Sequence, residues 1–532
     1  MLGYQKPTAV PVPTTEIEWV IDLPSTMSYT FHLTGVTGAN VYVSYDGIVE
    51  SVLVLSSPSV VDVIKSLSAG QHVVRVWSFD ELRRVYLADA AYAQYVTAIN
   101  KYASSTINSM VNAFNDCISV STILPSFTAD TLPLVTSFEN CFRRLISFNG
   151  VLHEDFMSGD YPLVTSFERC FAFWFMFNNE LPSGFMSGEF PVVVNFMYCF
   201  NRWEVFNKDL PAGFMSNTYP LVKYFESCFY LWSSFNKPLP SEFMAKQYNS
   251  AITFDLCFAG WAQFNQPLPV SFMSATFQLV TTFQSCFLNW TQFNQPLPVD
   301  FMCGDYNNVI TFSNCFSGWE HFNQPLPVDF MCGTFSSVSA MNNCFHRWLV
   351  FNNTLPYNFL SGGHMTVTTY DSCFSQWRAF NQVLPVSFMT GDFPALTTMA
   401  SCFIGWNVFN KMLHVGFMTG NFPNITNFAS CFRDWLVFNS TLPVGFMQGV
   451  YNKVISYAYC FYQWTAYTGN IPVILSDLSG VAFQSCYYRN INMTGSGMSV
   501  VAGAIIPVGA TTWCFTDCTS LSDYAQIPSG WK

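Results

Sequence analysis

Read as apolar and polar positions, the chain repeats one phrase. It is clearest at Phe283, Cys286, Phe287, Trp290, Phe293, Leu297, Pro298 and Phe301, with polar residues between them. The phrase returns every 29 residues. Its cysteine recurs without a slip at Cys141, Cys170, Cys199, Cys228, Cys257, Cys286, Cys315, Cys344, Cys373, Cys402, Cys431 and Cys460. A fixed period in this range predicts stacked repeats, each too small to bury its own apolar face. The expected fold is a repeat solenoid, leucine-rich-repeat-like, with a parallel β-sheet and short helical or 3₁₀ turns.

With the cysteine as position zero, Val280-Thr281-Thr282-Phe283 alternates like a strand. Phe, Trp and Phe at +1, +4 and +7 have the spacing of helical or 3₁₀ turns. Asn at +8 holds in eleven successive copies, among them Asn236, Asn265 and Asn294. An inward amide column there would satisfy backbone groups of its own and the next repeat. Together with Trp232, Trp261 and Trp290, the thiols and amides form an expected structural ladder. Leu at +11 and Phe-Met at +15 and +16 add apolar edges. Pro at +12 and glycines near +18, such as Gly159, Gly188, Gly304, Gly391, Gly420 and Gly449, mark turns.

The flanks differ. Residues 1–80 open on a Pro-rich stretch with Pro7 and Pro11. Strand-like runs follow at 16–23, 29–33, 40–44, 48–55 and 72–77, with turns such as Asp46-Gly47. They predict a small antiparallel β-sandwich that also caps the repeats. Residues 81–132 predict a helix or linker over 81–102, or a first repeat strand at 85–87. A worn repeat follows, with Ala113 in the Cys place and Cys117 in the Trp place. Residues 133–472 hold the twelve regular repeats. Residues 473–532 read as degenerate repeats and a C-terminal cap, with Cys518 in the Trp place and 505–507 echoing Leu-Pro.

Composition narrows the function. Half the residues are apolar, 18% are aromatic and only 10% are charged, against about 25% in ordinary domains. Net charge is −12 with no Lys/Arg run, which argues against nucleic-acid binding. No apolar stretch is long enough for a transmembrane helix, so no membrane insertion is expected. The start Met1-Leu2-Gly3-Tyr4-Gln5-Lys6 lacks the form of a secretory signal. Surface exposure would then need another route, such as a virus particle or a leaderless pathway.

Eighteen cysteines suggest disulfides, but twelve stand in one column, which favours a reduced core ladder. Cys303 and Cys332 are equivalent residues of neighbouring repeats, expected as free thiols. Cys514 with Cys518 is at most half a metal site. His153 and His414 replace Pro in the turn. Asp160, Glu189, Asp305 and Asp392 read as a hydrated acidic rim rather than a calcium edge. Sequons at Asn352 and Asn439 fall in the Asn column and are discounted for that reason, while Asn289, Asn424 and Asn492 lie outside it. No catalytic, cofactor or metal site is expected.

The phrase Phe283-x-x-Cys286-Phe287-x-x-Trp290-x-x-Phe293-Asn294-Gln295-x-Leu297 resembles the repeat of the bacterial surface protein (BspA-like) leucine-rich-repeat family. That family reads Met-x-x-Met-Phe-x-x-Ala-x-x-Phe-Asn-Gln-x-Leu. The match covers about residues 105–530, with a longer period here. The resemblance implies adhesion or surface display without enzymatic activity. The expected function is a non-enzymatic solenoid for surface recognition, whose partner is a protein or host surface. The alternative is a structural component of a virion or other large assembly, such as a fibre, decoration or host-attachment protein. Binding residues should vary between copies, as Arg143, Arg144, Leu288, Asn289, His346 and Arg347 do at +2 and +3.

Overall fold

A computed structural model describes residues 12–87, 90–217, 219–245, 249–274, 277–303, 305–361, 365–449, 451, 453–472, 480–501 and 511–532. Pro7, Pro11, Gly304 and residues 505–507 lie outside them. The chain forms two compact units. One is Met1–Tyr224 with Cys228–Phe235, the other Phe225–Ser227 with Asn236–Lys532.

The first unit opens with strands β1 (Thr15–Leu23), β2 (Met27–Gly35), β3 (Asn40–Tyr45), β4 (Ile48–Val54), β5 (Val61–Leu67), β6 (Gly70–Ser78) and β7 (Leu82–Tyr86). A short helix α1 (Ala90–Ala93) leads to β8 (Val96–Ser104), and β9 is Thr122–Ile123. One sheet runs β4-β3-β6-β1-β8-β9 and the other β5-β2-β7. Every pairing is antiparallel except β8 with β9. Along β1, Ile17, Trp19, Ile21 and Leu23 are buried and their neighbours less so, the period-2 pattern of a strand with one core face. Trp19 joins the sheets: its ring meets Phe31 of β2 edge-on at 5.0 Å, and its Nε1 donates to Tyr29 Oη at 3.0 Å.

The helix expected over 81–102 is replaced by β7, the four-residue α1 and β8. Val85, Val96 and Ile99 are buried here. β8 pairs with β1 and β7 with β2. Sheet pairing overrides the helix-favouring Ala and Leu, because propensity is weaker than burial. The strand-built region thus runs to Ser104, past the expected boundary at 80.

Beyond Ile123 the described residues form no strand or helix until a second short helix, α2 (Met498–Val501). The parallel pairing expected as a sheet is carried by single-residue bridges at −4 instead. In the first unit these join Ser137, Ser166, Asn195 and Tyr224; in the second they run from Thr253 through Thr282, Thr311 and their equivalents to Ser456 and Ala482. The rest of each repeat is a chain of tight turns. Cys286 N–H donates to Phe283 O, Phe293 to Trp290 O and Phe301 to Pro298 O. Between neighbours, Ser285, Phe287 and Asn289 donate to Ser313, Cys315 and Ser317 of the following repeat at 2.8, 2.9 and 2.7 Å.

Left-handed residues make that aim possible. Positions −1, +3 and +16 have φ between about 50° and 67° in repeat after repeat, for example Ser285, Asn289 and Met302. With left-handed residues at −1 and +3, every second N–H, at −1, +1 and +3, turns toward one neighbour. Such a φ disfavours most side chains. It is held here by the hydrogen bonds on either side.

Side chains stack in register. Trp174 and Trp203 are parallel at 5.5 Å, and Trp261 and Trp290 at 5.6 Å. Each indole also donates to the +1 carbonyl of the preceding repeat, as Trp290 Nε1 does to Phe258 O at 2.7 Å. Trp232, Trp261 and Trp290 are fully buried, as are Cys170, Cys199, Cys228, Cys257, Cys286 and Cys315. All cysteines are free. The glycines near +18 serve two purposes. Gly159 and Gly391 take positive φ, whereas a Cβ on Gly188 or Gly420 would lie 1.8 Å from the preceding repeat's carbonyl.

The amide column corrects the expectation of inward side chains. Asn236, Asn265 and Asn294 are only half-buried, and Asn352 and Asn439 are exposed. Their Oδ1 atoms cap the next repeat from the rim: Asn265 N–H donates to Asn236 Oδ1, and Asn294 N–H to Asn265 Oδ1, both at 2.9 Å. Burial is therefore no reason to discount the sequons at Asn352 and Asn439. What their amides do is accept from Asn381 and Thr468 N–H.

The worn ends keep the same register at other spacings. Phe114 donates to Cys141 O, Phe461 to Cys486 O and Tyr487 to Cys514 O. Asn490 and Cys518 stand in the Trp place and replace the indole donor, Asn490 Nδ2 to Phe461 O at 2.9 Å and Cys518 Sγ to Tyr487 O at 2.8 Å. Trp531 closes the second unit by accepting from Phe515 N–H and lying against its ring.

Candidate recognition surface

Positions +2 and +3 follow a buried cysteine and phenylalanine; small residues at +2, such as Ala172, Ser317 and Ser375, stay buried, and longer side chains there reach the surface. In the first unit, Arg143 is half-buried over the Phe173 ring at 5.5 Å and donates to Asn115 Oδ1. Burial pushes its guanidinium below the usual value. Arg144 is exposed and pairs with Asp116 at 2.7 Å. In the second unit, Leu288 is half-buried and Asn289 exposed. His346 faces Ser375 Oγ at 3.2 Å, and its pKa is lowered by burial and then by Arg347. Arg347 pairs with Glu320 at 2.8 Å. The six residues occupy two adjacent column positions, +2 and +3, in their repeats. Leu288-Asn289 and His346-Arg347 are nonetheless separated by the repeat carrying Ser317 and Gly318, and the charges of Arg144 and Arg347 are already paired.

A more continuous surface lies at +13. Phe272 N–H donates to Pro269 O, and Phe301 to Pro298 O, closing turns whose corners are +13 and +14. A turn corner points away from the core. In the second unit this exposes Val270, Val299, Val328, Tyr357, Val386, Val415 and Val444, one per repeat in seven successive repeats. Exposure runs from 59% at Val386 to 98% at Val444. Val383 and Met412 at +10 extend the strip. The first unit has Glu154, Ser183 and Ala212 at the same position. Single exposed valines are ordinary, but an unbroken column is a feature of interaction surfaces. The repeated Leu-Pro-Val was legible in the sequence, where Pro drew attention and the next residue did not.

The acidic rim has a structural role. Asp160, Asp305 and Asp392 accept the backbone N–H of Glu189, Thr334 and Asn421 in the following repeat, at 2.8, 3.1 and 2.8 Å. His153 and His414 reproduce the Pro turn, accepting from Phe156 and Phe417 N–H. Burial pushes the ladder thiols far above their ordinary value. Cys303 and Cys332, half-buried, are pushed up to about 11 by burial with Asp329 nearby. Among the described residues no three His, Cys, Asp or Glu are grouped to hold a metal, and no helix is long and apolar enough to cross a membrane.

A family profile described as "Mycoplasma protein of unknown function, DUF285" matches residues 82–212 and 253–388, just over half of the chain. The chain belongs to this family. DUF285 is associated with BspA-like repeat proteins. The first DUF285 match begins at β7, so it takes in the last strands of the strand-built region as well as repeats. The second lies wholly within regular repeats and contains Val270, Val299, Val328, Tyr357 and Val386. No curated protein and no solved structure matches the chain.

Proposed function

We propose that this DUF285 chain is a non-enzymatic, BspA-like solenoid that recognises and adheres to a protein or host surface. The observation that carries this reading is the exposed +13 column of the second unit. Seven apolar side chains at the repeat spacing form a strip whose removal from water would favour association. The titratable groups support a recognition role: the acidic rim caps backbone amides, the arginines at +3 are ion-paired, and the ladder thiols are buried and protonated.

The test is attachment of the purified full chain to surfaces coated with host matrix proteins. It compares wild type with a variant carrying Val299→Ser, Val328→Ser and Val415→Ser. These side chains are exposed, so stability should hold, while attachment should fall tenfold or more. Wild-type attachment by the triple variant would overturn the reading. The regularity of the strip favours a second reading, a structural component of a virion or other assembly, because a strip of fixed period is best matched by another copy. In that case the triple variant would lower the sedimenting mass of the wild-type particle and leave matrix attachment absent in both.

A further inference from the structure

Near the C-terminal end of the second unit, the surface on the −1 and +2 side changes character. Position −1 is Ser, Asn or Leu in many repeats, but Tyr459 and Trp513 hold it in repeats on either side of Ser485. Position +2 carries Tyr462, then Tyr488, then Thr516. These six residues line an open cleft of about 330 Å³. Tyr459 N–H donates to Gln484 O and Ser485 N–H to Thr512 O, so the three repeats are in direct register. Ser485 is buried and forms the floor. Trp513 is 56% exposed, in contrast to the fully buried indoles of the ladder. The Oγ1 of Thr516 is buried without a hydrogen-bond partner.

The missing ring at Ser485 leaves a slot between Tyr459 and Trp513. The stacked core rings of these repeats are 5.4 Å apart from Phe461 to Tyr487 and 5.3 Å apart from Tyr487 to Phe515, which makes 10.7 Å over two repeats. Van der Waals contact on both faces takes about 7–8 Å of that. About 3 Å remains, which suits a puckered saturated ring with its substituents better than a flat one. Charge narrows the class further. Arg433 already lies over Tyr459 and Tyr462, at 5.5 and 4.6 Å, and Arg489 beside Tyr488 at 5.9 Å. A cationic ligand would meet like charge there. Asp517, paired with Arg489 at 3.7 Å, disfavours an anion.

We infer that this slot binds one pyranose ring of an uncharged hexose glycan. Its C–H face would lie against the negative faces of Trp513 and Tyr459. Its hydroxyls would meet the hydroxyls of Tyr462 and Tyr488, which line the same cleft. Small-ligand sites join such aromatic walls to a few placed polar groups. The inference deepens the recognition reading by naming a ligand class, and it uses residues apart from the +13 column.

The experiment exposes the full-length chain to maltohexaose, cellohexaose and mannohexaose, and records saturation-transfer NMR and titration calorimetry. At least one oligomer should bind, with saturation strongest on ring protons. Trp513→Ala should weaken that binding tenfold or more. Ser485→Tyr should abolish it by filling the slot. Tyr occupies the equivalent left-handed position at Tyr198 and Tyr459, so the fold accepts this change. Equal thermal midpoints would show that both variants are folded. The inference is overturned if no oligomer binds, if both variants bind like wild type, or if a proline-rich peptide occupies the slot instead. Matrix attachment is scored on the same preparations. Lost hexose binding with attachment intact overturns the slot alone, and hexose binding without attachment overturns only the adhesion reading.

Discussion

The strand-built region, residues 15–104, and the 29-residue repeats solve the same problem differently. Each must bury a tryptophan and satisfy its indole N–H. Trp19 of β1 donates to the hydroxyl of Tyr29 on the opposing sheet, so its partner is itself a side chain that must be positioned. Trp290 donates to a main-chain carbonyl, Phe258 O, which every well-formed repeat supplies in the same place. The strands bond partners at many sequence separations: β1 pairs with both β6 and β8. The repeats bond to adjacent repeats, at offsets close to one period. Damage to the first region should spread through both sheets, and damage to a repeat should stay with its neighbours.

The largest expected effect tests this contrast directly. Trp290→Ala removes a buried indole and leaves Phe258 O unpaired, for a loss of about 3–5 kcal/mol. Hydrogen exchange should rise across the repeats from Phe258 to Trp319 while β1 and β6 stay protected as in wild type. A comparable rise in β1 would break the comparison. Next, Cys286→Ser places a hydroxyl in the dry thiol column and should lower stability by about 1–3 kcal/mol in urea unfolding. Cys303→Ser, at a half-buried thiol, should change it far less. A thiol reagent should accordingly label Cys303 and Cys332 in the native chain, slowly at neutral pH because both are pushed up to about 11. The ladder thiols should react only on unfolding.

Much of this contrast is written in the residues. The period, the thiol and indole columns and the strands β1 to β4 and β6 follow from spacing and alternation. The left-handed columns do not, because Ser285, Asn289 and Met302 are not glycines and their φ is imposed by repeat-to-repeat hydrogen bonds. The Asn column was legible as a column but not as a rim, since the spacing of an amide says nothing of which atom it offers. β7 and β8 were hidden by their Ala and Leu content, and β5 by its alternating polar residues. Cys486 and Cys514 sit off the 29-residue grid because the segments between repeats shorten while the stacked part keeps its register. Of the surface, the six variable residues were legible as outward-facing. The Val column escaped notice because apolar residues are first read as core, and the slot because it is defined by the absence of a ring at Ser485.

Two smaller effects sharpen the picture. Asn294→Ala removes the acceptor for Asn323 N–H and should lose about 1 kcal/mol, whereas Asn294→Asp keeps an acceptor and should lose less. Thermal midpoints of the two variants decide it, and equal losses would contradict the rim-capping role. The smallest effect lies in the strand region, where His72 Nδ1 meets Asp46 at 2.8 Å. That hydrogen bond holds His72 above its ordinary 6.5. Burial pushes Asp46 up, but its bonds to His72 and the Val73 N–H outweigh this and hold it below 3.8. The His72 contribution is complete below 6.5 and fades as pH rises through the raised value. The Asp46 contribution is present above 3.8 and fades as pH falls through the lowered one. His72→Gln should therefore lower stability by less than about 1 kcal/mol near pH 5, and by nothing near pH 9. A difference that persists at high pH would place the effect in packing instead.

At −1, +1 and +3 the N–H groups all aim at the following repeat, so along this stretch every repeat has two unlike sides, donors facing the following neighbour and acceptors facing the preceding one. The second unit hides its last donor row behind the segment that ends at Trp531. A chain cut before Thr511 would present Ser485, Tyr487 and Arg489 as a bare donor edge. Another chain could dock there only with its acceptor side, so growth from that cut would be head-to-tail and polar, like a crystal that adds layers at one face.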